Sequence, residues 1–98
     1  WRRNLGNHGA VLINGARCPM VGRVCMDQFL VDVTDVDGVN EGATATLIGA
    51  DGNDRISVSE VAGLADTISW DVLASLQARL PRLYHRAGAV EAIAPPMW

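Results

Sequence analysis

In the first half of the chain, apolar and polar positions alternate in short runs broken by glycine, the pattern of β-strands joined by turns. Val11-Leu12-Ile13 is an unbroken apolar run followed at once by Asn14-Gly15, a dipeptide that accepts positive φ at both centres of a tight hairpin turn. The return strand is expected to start near Arg17 and run through Met20-Val21. Gly22 then permits a bend before a second run from Val24 to Val33. In that run Cys25, Phe29, Val31 and Val33 share one parity, with Gln28 and Asp32 on the other, so one face is expected to be buried. Asp27 falls on the apolar parity, and a polar group on a buried face needs a partner or a task. Asp35 to Gly42 reads as a polar loop, Ala43 to Ile48 as a further short strand, and Gly49-Ala50-Asp51-Gly52-Asn53 as a turn cluster.

The second half changes period. Ser57-Val58-Ser59-Glu60 fits a capping box, with Ser57 as the cap and Glu60 reaching back to its amide. Val61, Leu64, Ala65 and Ile68 then recur at i, i+3, i+4 and i+7, which predicts one core-facing helical stripe ending near Asp66-Thr67. A second short helix is expected over Trp70 to Leu76. Arg79-Leu80-Pro81-Arg82-Leu83-Tyr84 reads as a closing strand whose proline demands an edge or a bulge. Ala87 to Trp98, with Pro95-Pro96, reads as a loosely held tail. Together these elements predict a mainly β domain with one or two short helices.

Composition narrows the chemistry. The 98 residues make one domain, and 49% of them are apolar. Eight basic and eleven acidic side chains leave a net charge of −3, and five per cent of residues are aromatic, so there is no footprint for nucleic acid. All eight basic residues are arginine: Arg2, Arg3, Arg17, Arg23, Arg55, Arg79, Arg82 and Arg86. The absence of lysine excludes, within these residues, a Schiff-base lysine, a phosphate-loop lysine or a carbamylated lysine ligand. No apolar run approaches the ~20 residues needed to span a bilayer. Cys18 and Cys25 read as free cytosolic thiols, and with the distant His8 and His85 they form no zinc spacing. The acidic loops Asp35-Val36-Asp37-Gly38 and Asp51-Gly52-Asn53-Asp54 lack the ligand spacing of a calcium loop and read as solvated turns. The opening Trp1-Arg2-Arg3-Asn4 carries no initiator methionine, so the chain reads as cut from something longer, with its N-terminal strand or strands missing and an edge left open.

The most specific stretch is Val21-Gly22-Arg23-Val24-Cys25-Met26-Asp27-Gln28. It resembles the Gly-Arg-(Ile/Val)-Cys-Met-Asp-Gln signature in the C-terminal domain of alanine racemases, which are pyridoxal-phosphate enzymes. Flanking blocks agree in order: Leu12-Ile13-Asn14-Gly15 and Cys18-Pro19 upstream, then Thr46-Leu47-Ile48-Gly49, Ile56-Ser57-Val58, Ala65-Asp66-Thr67-Ile68-Ser69-Trp70-Asp71-Val72 and the close Arg79-Leu80-Pro81-Arg82-Leu83-Tyr84. The resemblance implies that residues 1–86 are a small β-barrel-like domain of this type, incomplete at its N-terminus, and that residues 87–98 are a tail.

The function implied is interconversion of L- and D-alanine by two-base proton transfer on a pyridoxal-phosphate aldimine, which supplies D-alanine for peptidoglycan precursors in the cytoplasm. In the family the cofactor is bound mainly by a barrel domain. The enzyme is a head-to-tail homodimer in which each active site joins one subunit's barrel to the other's β domain. The two bases are a barrel lysine and a tyrosine about twenty positions before Trp1 by family spacing, an order-of-magnitude placement. Neither is in this chain, and the single tyrosine, Tyr84, does not match that base. Met26 matches the position whose backbone amide contacts the substrate carboxylate. Asp27 matches its neighbour, which either supports the second-base tyrosine or stabilises a buried turn. Arg3, Arg23 and Ile68 match residues of the corridor to the active site. Trp70 replaces a tyrosine that donates to the cofactor phosphate; its indole N–H donates from a different place, so that bond is relocated or lost. Two other readings stay open: a stand-alone binding module derived from this domain, and a racemase for serine or a broader set of amino acids.

Overall fold

The computed structural model describes residues 1–26, 28–77, 80–86 and 88–94. β1 (Ala10–Ile13) and β2 (Ala16–Val21) form the hairpin predicted from Asn14-Gly15. Asn14 and Gly15 take φ of 52° and 77°, the doubly positive turn that suits the twist of the flanking strands. Val11, Leu12 and Ile13 are all buried, so the unbroken apolar run belongs to a strand covered on both faces. β3 (Leu30–Val31) pairs with the far edge of β2, giving the order β1-β2-β3. β4 (Gly49–Asp51) and β5 (Asp54–Ile56) make a second hairpin; the turn expected over Gly49–Asn53 narrows to Gly52 and Asn53, because Gly49–Asp51 is already paired as strand. Helices α1 (Val58–Leu64) and α2 (Ser69–Ala74) follow, and β6 (Arg82–Arg86) with β7 (Ala89–Ala94) closes the chain as a third hairpin. The class is mainly β with two short helices, and among the described residues the strands lie in three small sheets.

Several elements differ from expectation for identifiable reasons. Of the run from Val24 to Val33, only Leu30–Val31 is strand. The predicted parity holds from Phe29 onward, with Phe29, Val31 and Val33 half-buried and Leu30 and Asp32 exposed. Upstream it fails: the Cys25 N–H donates to the Gln28 carbonyl at 2.8 Å and folds the chain into a turn. Val24 is therefore buried and Cys25 exposed, the reverse of the alternation. Within Ala43–Ile48, only Thr46 pairs, as a single antiparallel bridge to Leu12.

On α1 the helical period is right and the phase is not. Val61 and Ala65 are buried as expected, but they are joined by Ala62 and the half-buried Val58, while Leu64 and Ile68 are exposed. The helix stops before Ile68 can complete the stripe, because Asp66 takes φ 55°. The capping box is half made. Ser57 accepts from the Glu60 N–H at 3.1 Å, but the Glu60 carboxylate turns to Arg17. The second helix begins at Ser69 and ends at Ala74. The closing strand begins after Pro81, so no ladder bond needs its missing N–H. Ala89–Ala94 was expected in a loose tail and is instead paired along β6, with a register shift at Tyr84/His85.

Two apolar clusters share β1. Leu12, Met20, Val24, Ile56, Val61, Ala62, Ala65, Val72 and Leu5 form the larger one, against which Trp1 and Phe29 pack. Val11, Ile13 and Cys18 form the smaller, under Val33, Val36, Val39 and Leu47. The larger core welds α1 and α2 to the first hairpin. The segment from Trp1 to Leu5 and the turn after Val24 are thereby set side by side.

Candidate functional site

Val24 anchors the signature loop: its side chain is buried in the larger core, while Cys25 and Met26 on the following turn face outward. Met26 is 94% exposed, an unusual state for a thioether with no polar group to solvate. It stands where three hollows meet. One of about 570 Å³ is lined by Arg3, Arg23, Val24, Cys25, Met26 and Gln28. A second of about 400 Å³ is apolar, with Trp1, Phe29, Leu47, Leu76 and Leu80 around Met26. The third, about 250 Å³, lies between Met26, Arg2 and the residues that follow α2.

Arg3 and Arg23 come from separate segments and meet at the first of these hollows. Both are exposed, and among the described residues neither guanidinium is held in an ion pair. Their backbones are brought together by a tight approach. A Cβ at Gly6 would lie 2.4 Å from the Gly22 carbonyl oxygen and 3.2 Å from the Arg23 Cα, so only glycine fits. The Gly22 N–H also donates to Asn7 Oδ1 at 2.7 Å. Two permanent positive charges at one open hollow, with no carboxylate among its described lining residues, suit a carboxylate ligand.

Ile68 and Trp70, 61% and 80% exposed, line with Ser69 a separate hollow of about 320 Å³. The expected site residues are thus divided: the corridor residues Arg3 and Arg23 share one hollow with Met26, and the corridor residue Ile68 shares another with Trp70. Asp27 lies outside the described residues. Sequence reading missed Trp1, Arg2, Leu76 and Leu80, which close the apolar side of the Met26 hollows. No spacing in the sequence points to Arg2, whose guanidinium meets the Asp71 carboxylate that also accepts from the Thr67 hydroxyl.

The residues present do not fit a pyridoxal phosphate held by this chain alone. There is no lysine to carry it. At Trp70 the donors on offer are an indole N–H and the Ser69 hydroxyl, which stands 3.4 Å from that of Ser59. Groups of histidine, cysteine and carboxylate able to hold a metal are absent among the described residues. Among the same residues, no helix is long and apolar enough to cross a membrane.

The fold is a small mainly β domain whose signature loop projects an exposed methionine beside two arginines. Residues 1–84 match the family described as "Alanine racemase, C-terminal domain", and the chain belongs to it. The alanine racemase of Symbiobacterium thermophilum is 48% identical over 84 residues, covering 86% of this chain and 22% of that protein. That of Carboxydothermus hydrogenoformans is 45% identical over 82 residues, covering 84% and 22%. Among solved structures, the Bacillus anthracis alanine racemase with bound L-Ala-P superposes with a TM-score of 0.87 at 40% identity, over 95% of this chain and 23% of that one. The Clostridium difficile alanine racemase in complex with cycloserine gives 0.83 at 28% identity, over 96% and 24%. The chain therefore spans under a quarter of the length of these relatives.

Proposed function

We propose that this chain is the C-terminal β part of an alanine racemase that interconverts L- and D-alanine, residues 1–86 forming its β domain. The observation that carries the reading is the convergence of Arg3 and Arg23 on the hollow beneath the exposed Met26 turn. Alanine carries an ammonium as well as a carboxylate, so its net charge is zero at neutral pH. Two fixed guanidinium groups therefore orient it, carboxylate first, more than they draw it from a distance. The Met26 backbone N–H would then donate to that carboxylate, a contact that depends on the turn and not on the thioether. Asp27 would stand beside the second base, Ile68 would narrow the corridor, and Trp70 would form wall on the cofactor side.

Pyridoxal phosphate, when bound, supplies the electron sink that acidifies the alanine Cα–H. Its attachment and both proton-transferring bases belong, in this reading, to other parts of the enzyme: mainly the barrel domain, with the active site completed by a second subunit in a head-to-tail homodimer. The absence of lysine supports that division, as does the position of Tyr84, half exposed on β6 and remote in sequence from the signature turn. The reading carries with it a cytoplasmic enzyme of D-alanine supply.

The test compares residues 1–98 with the product of the whole reading frame. The product of the whole frame is expected to racemise alanine, and the 98 residues alone to do neither that nor retain pyridoxal phosphate through dialysis. A cofactor absorbance band persisting on the dialysed 98-residue chain would overturn the division of labour. Turnover of serine in preference to alanine would overturn the substrate.

A further inference from the structure

The segments that carry Arg3 and Arg23 are bridged by one short turn, Leu5 to Gly9. The Leu5 carbonyl accepts from the His8 N–H at 2.9 Å and from the Gly9 N–H at 2.7 Å. Leu5 itself is buried in the larger core, so the turn stands on a fixed base. At one end the Gly6 N–H donates to the Arg3 carbonyl at 3.1 Å. At the other the Gly9 carbonyl accepts from the Met20 N–H of β2 at 2.9 Å. The turn is thus tied to Arg3 on one side and to the strand that leads into Arg23 on the other.

Asn7 stands within this turn at φ 62°, a conformation that asparagine enters more readily than most residues. Glycine would suit that backbone better still, so the presence of a side chain needs its own reason. Its Oδ1 accepts from the Gly22 N–H at 2.7 Å. Gly22 is exposed at φ 74°, just beyond β2 and directly before Arg23. An added Cβ there would meet no heavy atom within 4 Å, so packing around the glycine does not fix it. Its carbonyl oxygen lies against Gly6, where a Cβ would come within 2.4 Å. Gly22 is therefore held at its N–H by Asn7 and at its carbonyl by the close approach of Gly6.

We propose that Asn7 is a positioning residue: its bond to the Gly22 N–H fixes the direction in which Arg23 leaves the turn, and so keeps Arg23 at the hollow it shares with Arg3. The proposal rests on the racemase reading for its kinetic consequence but not for its structural one. Asn7 does not line that hollow; it acts through Gly22 and Arg23. Without the bond, Gly22 regains the wide backbone freedom of an unpacked glycine, and the two guanidinium groups no longer meet a carboxylate as a pair.

The structural half is read by hydrogen exchange at single amides in the product of the whole reading frame. Asn7→Gly keeps the backbone conformation and removes the acceptor. In it the Gly22 amide should exchange about tenfold faster, while the Met20 amide, bonded to Gly9, should keep its rate. Asn7→Asp keeps an acceptor and tolerates the same φ, so Gly22 should stay protected in it. That variant remains informative if Asn7→Gly fails to fold. The kinetic half uses the same protein. Asn7→Gly should raise KM for alanine about threefold with little change in kcat, and should add nothing further in an Arg23→Gln background. A merely structural role would lower the unfolding temperature and leave KM unchanged. Gly22 exchange that is unchanged in Asn7→Gly or fast in Asn7→Asp, an unchanged KM, or effects that multiply in the double variant would overturn the proposal. Faster Gly22 exchange in Asn7→Gly of a protein that does not turn over alanine would keep the hold on Gly22 and overturn the racemase reading.

Discussion

Arg17 on β2 grips the carboxylate of Asp54 on β5 side-on, Nε to Oδ2 and Nη2 to Oδ1, both at 3.0 Å. The same guanidinium donates from Nη2 to the Arg55 carbonyl at 2.9 Å and from Nη1 to Glu60 on α1. One arginine therefore clasps the first hairpin to the second and to the helix. The hydrogen bonds to Asp54, then those to Glu60, raise the Arg17 pKa far above its ordinary value. In turn, the Arg17 hydrogen bond, then the Arg55 amide, hold the Asp54 carboxyl below the usual range.

Because the folded-state pKa of Asp54 is depressed, its contribution to stability is complete above the unfolded value of about 3.9 and is lost as pH falls through the lower folded value. Urea midpoints measured near neutrality and at about pH 3 should therefore differ more in the parent than in Asp54→Asn. The raised pKa of Arg17 adds no slope in this range, since the group stays protonated throughout. An equal pH dependence in the two proteins would show that the pair does not outlast solvent screening, which is strong for partners this exposed.

Ser57 and Glu60 divide the work that a capping box would share. Ser57→Ala removes the acceptor of the Glu60 N–H at the start of α1 and should cost about 1 kcal/mol. Glu60→Gln should leave the cap intact and weaken the clasp. In double-mutant cycles on denaturation, Glu60 should couple to Arg17 and not to Ser57.

The turn chemistry was the most legible part of the fold. Asn14-Gly15 and the cap at Ser57 act locally, so the sequence displays their causes directly. The phase of α1 was not legible, because Leu64 and Val58 both suit a helical stripe and only the docking of the helix on Leu12 and Ile56 selects Val58. The strand expected over Val24–Val33 failed for a related reason. A single turn bond from Cys25 to Gln28 overrides the alternation and places Val24 inside and Cys25 outside. At the candidate site, Arg3 and Arg23 were singled out by resemblance. That they share a hollow follows from the Gly6–Gly22 approach, which no spacing in the sequence reports.

At the Met26 turn, side chain and backbone should separate by mutation. Met26→Leu should leave alanine turnover by the whole protein within about twofold, since the expected contact is a backbone N–H. Arg23→Gln should lower kcat/KM about threefold and make what remains less sensitive to added salt. A severe loss in Met26→Leu with an intact Arg23→Gln would reverse the assignment.

Gly6 and Gly22 meet at the same close approach and should fail in different ways. Gly6 has φ −55°, a conformation open to any residue, so its requirement is for space: an added Cβ would overlap the Gly22 carbonyl oxygen, which is backbone and cannot turn aside. Gly22 has φ +74° and no heavy atom within 4 Å of an added Cβ, so its requirement is conformational. Gly6→Ala should cost about 1–3 kcal/mol by overpacking, and Gly22→Ala about 1–2 kcal/mol by backbone strain. Asparagine tells the two apart, because it enters the left-handed region more readily than alanine but is larger. Gly22→Asn should recover part of the stability lost in Gly22→Ala, and Gly6→Asn should be at least as damaging as Gly6→Ala. Urea denaturation of the four variants reads this directly. Equal rescue by asparagine at both positions would mean that the segment from Trp1 to Asn7 can lift off the Gly22–Arg23 turn, and that Arg3 and Arg23 are not held together by their backbones.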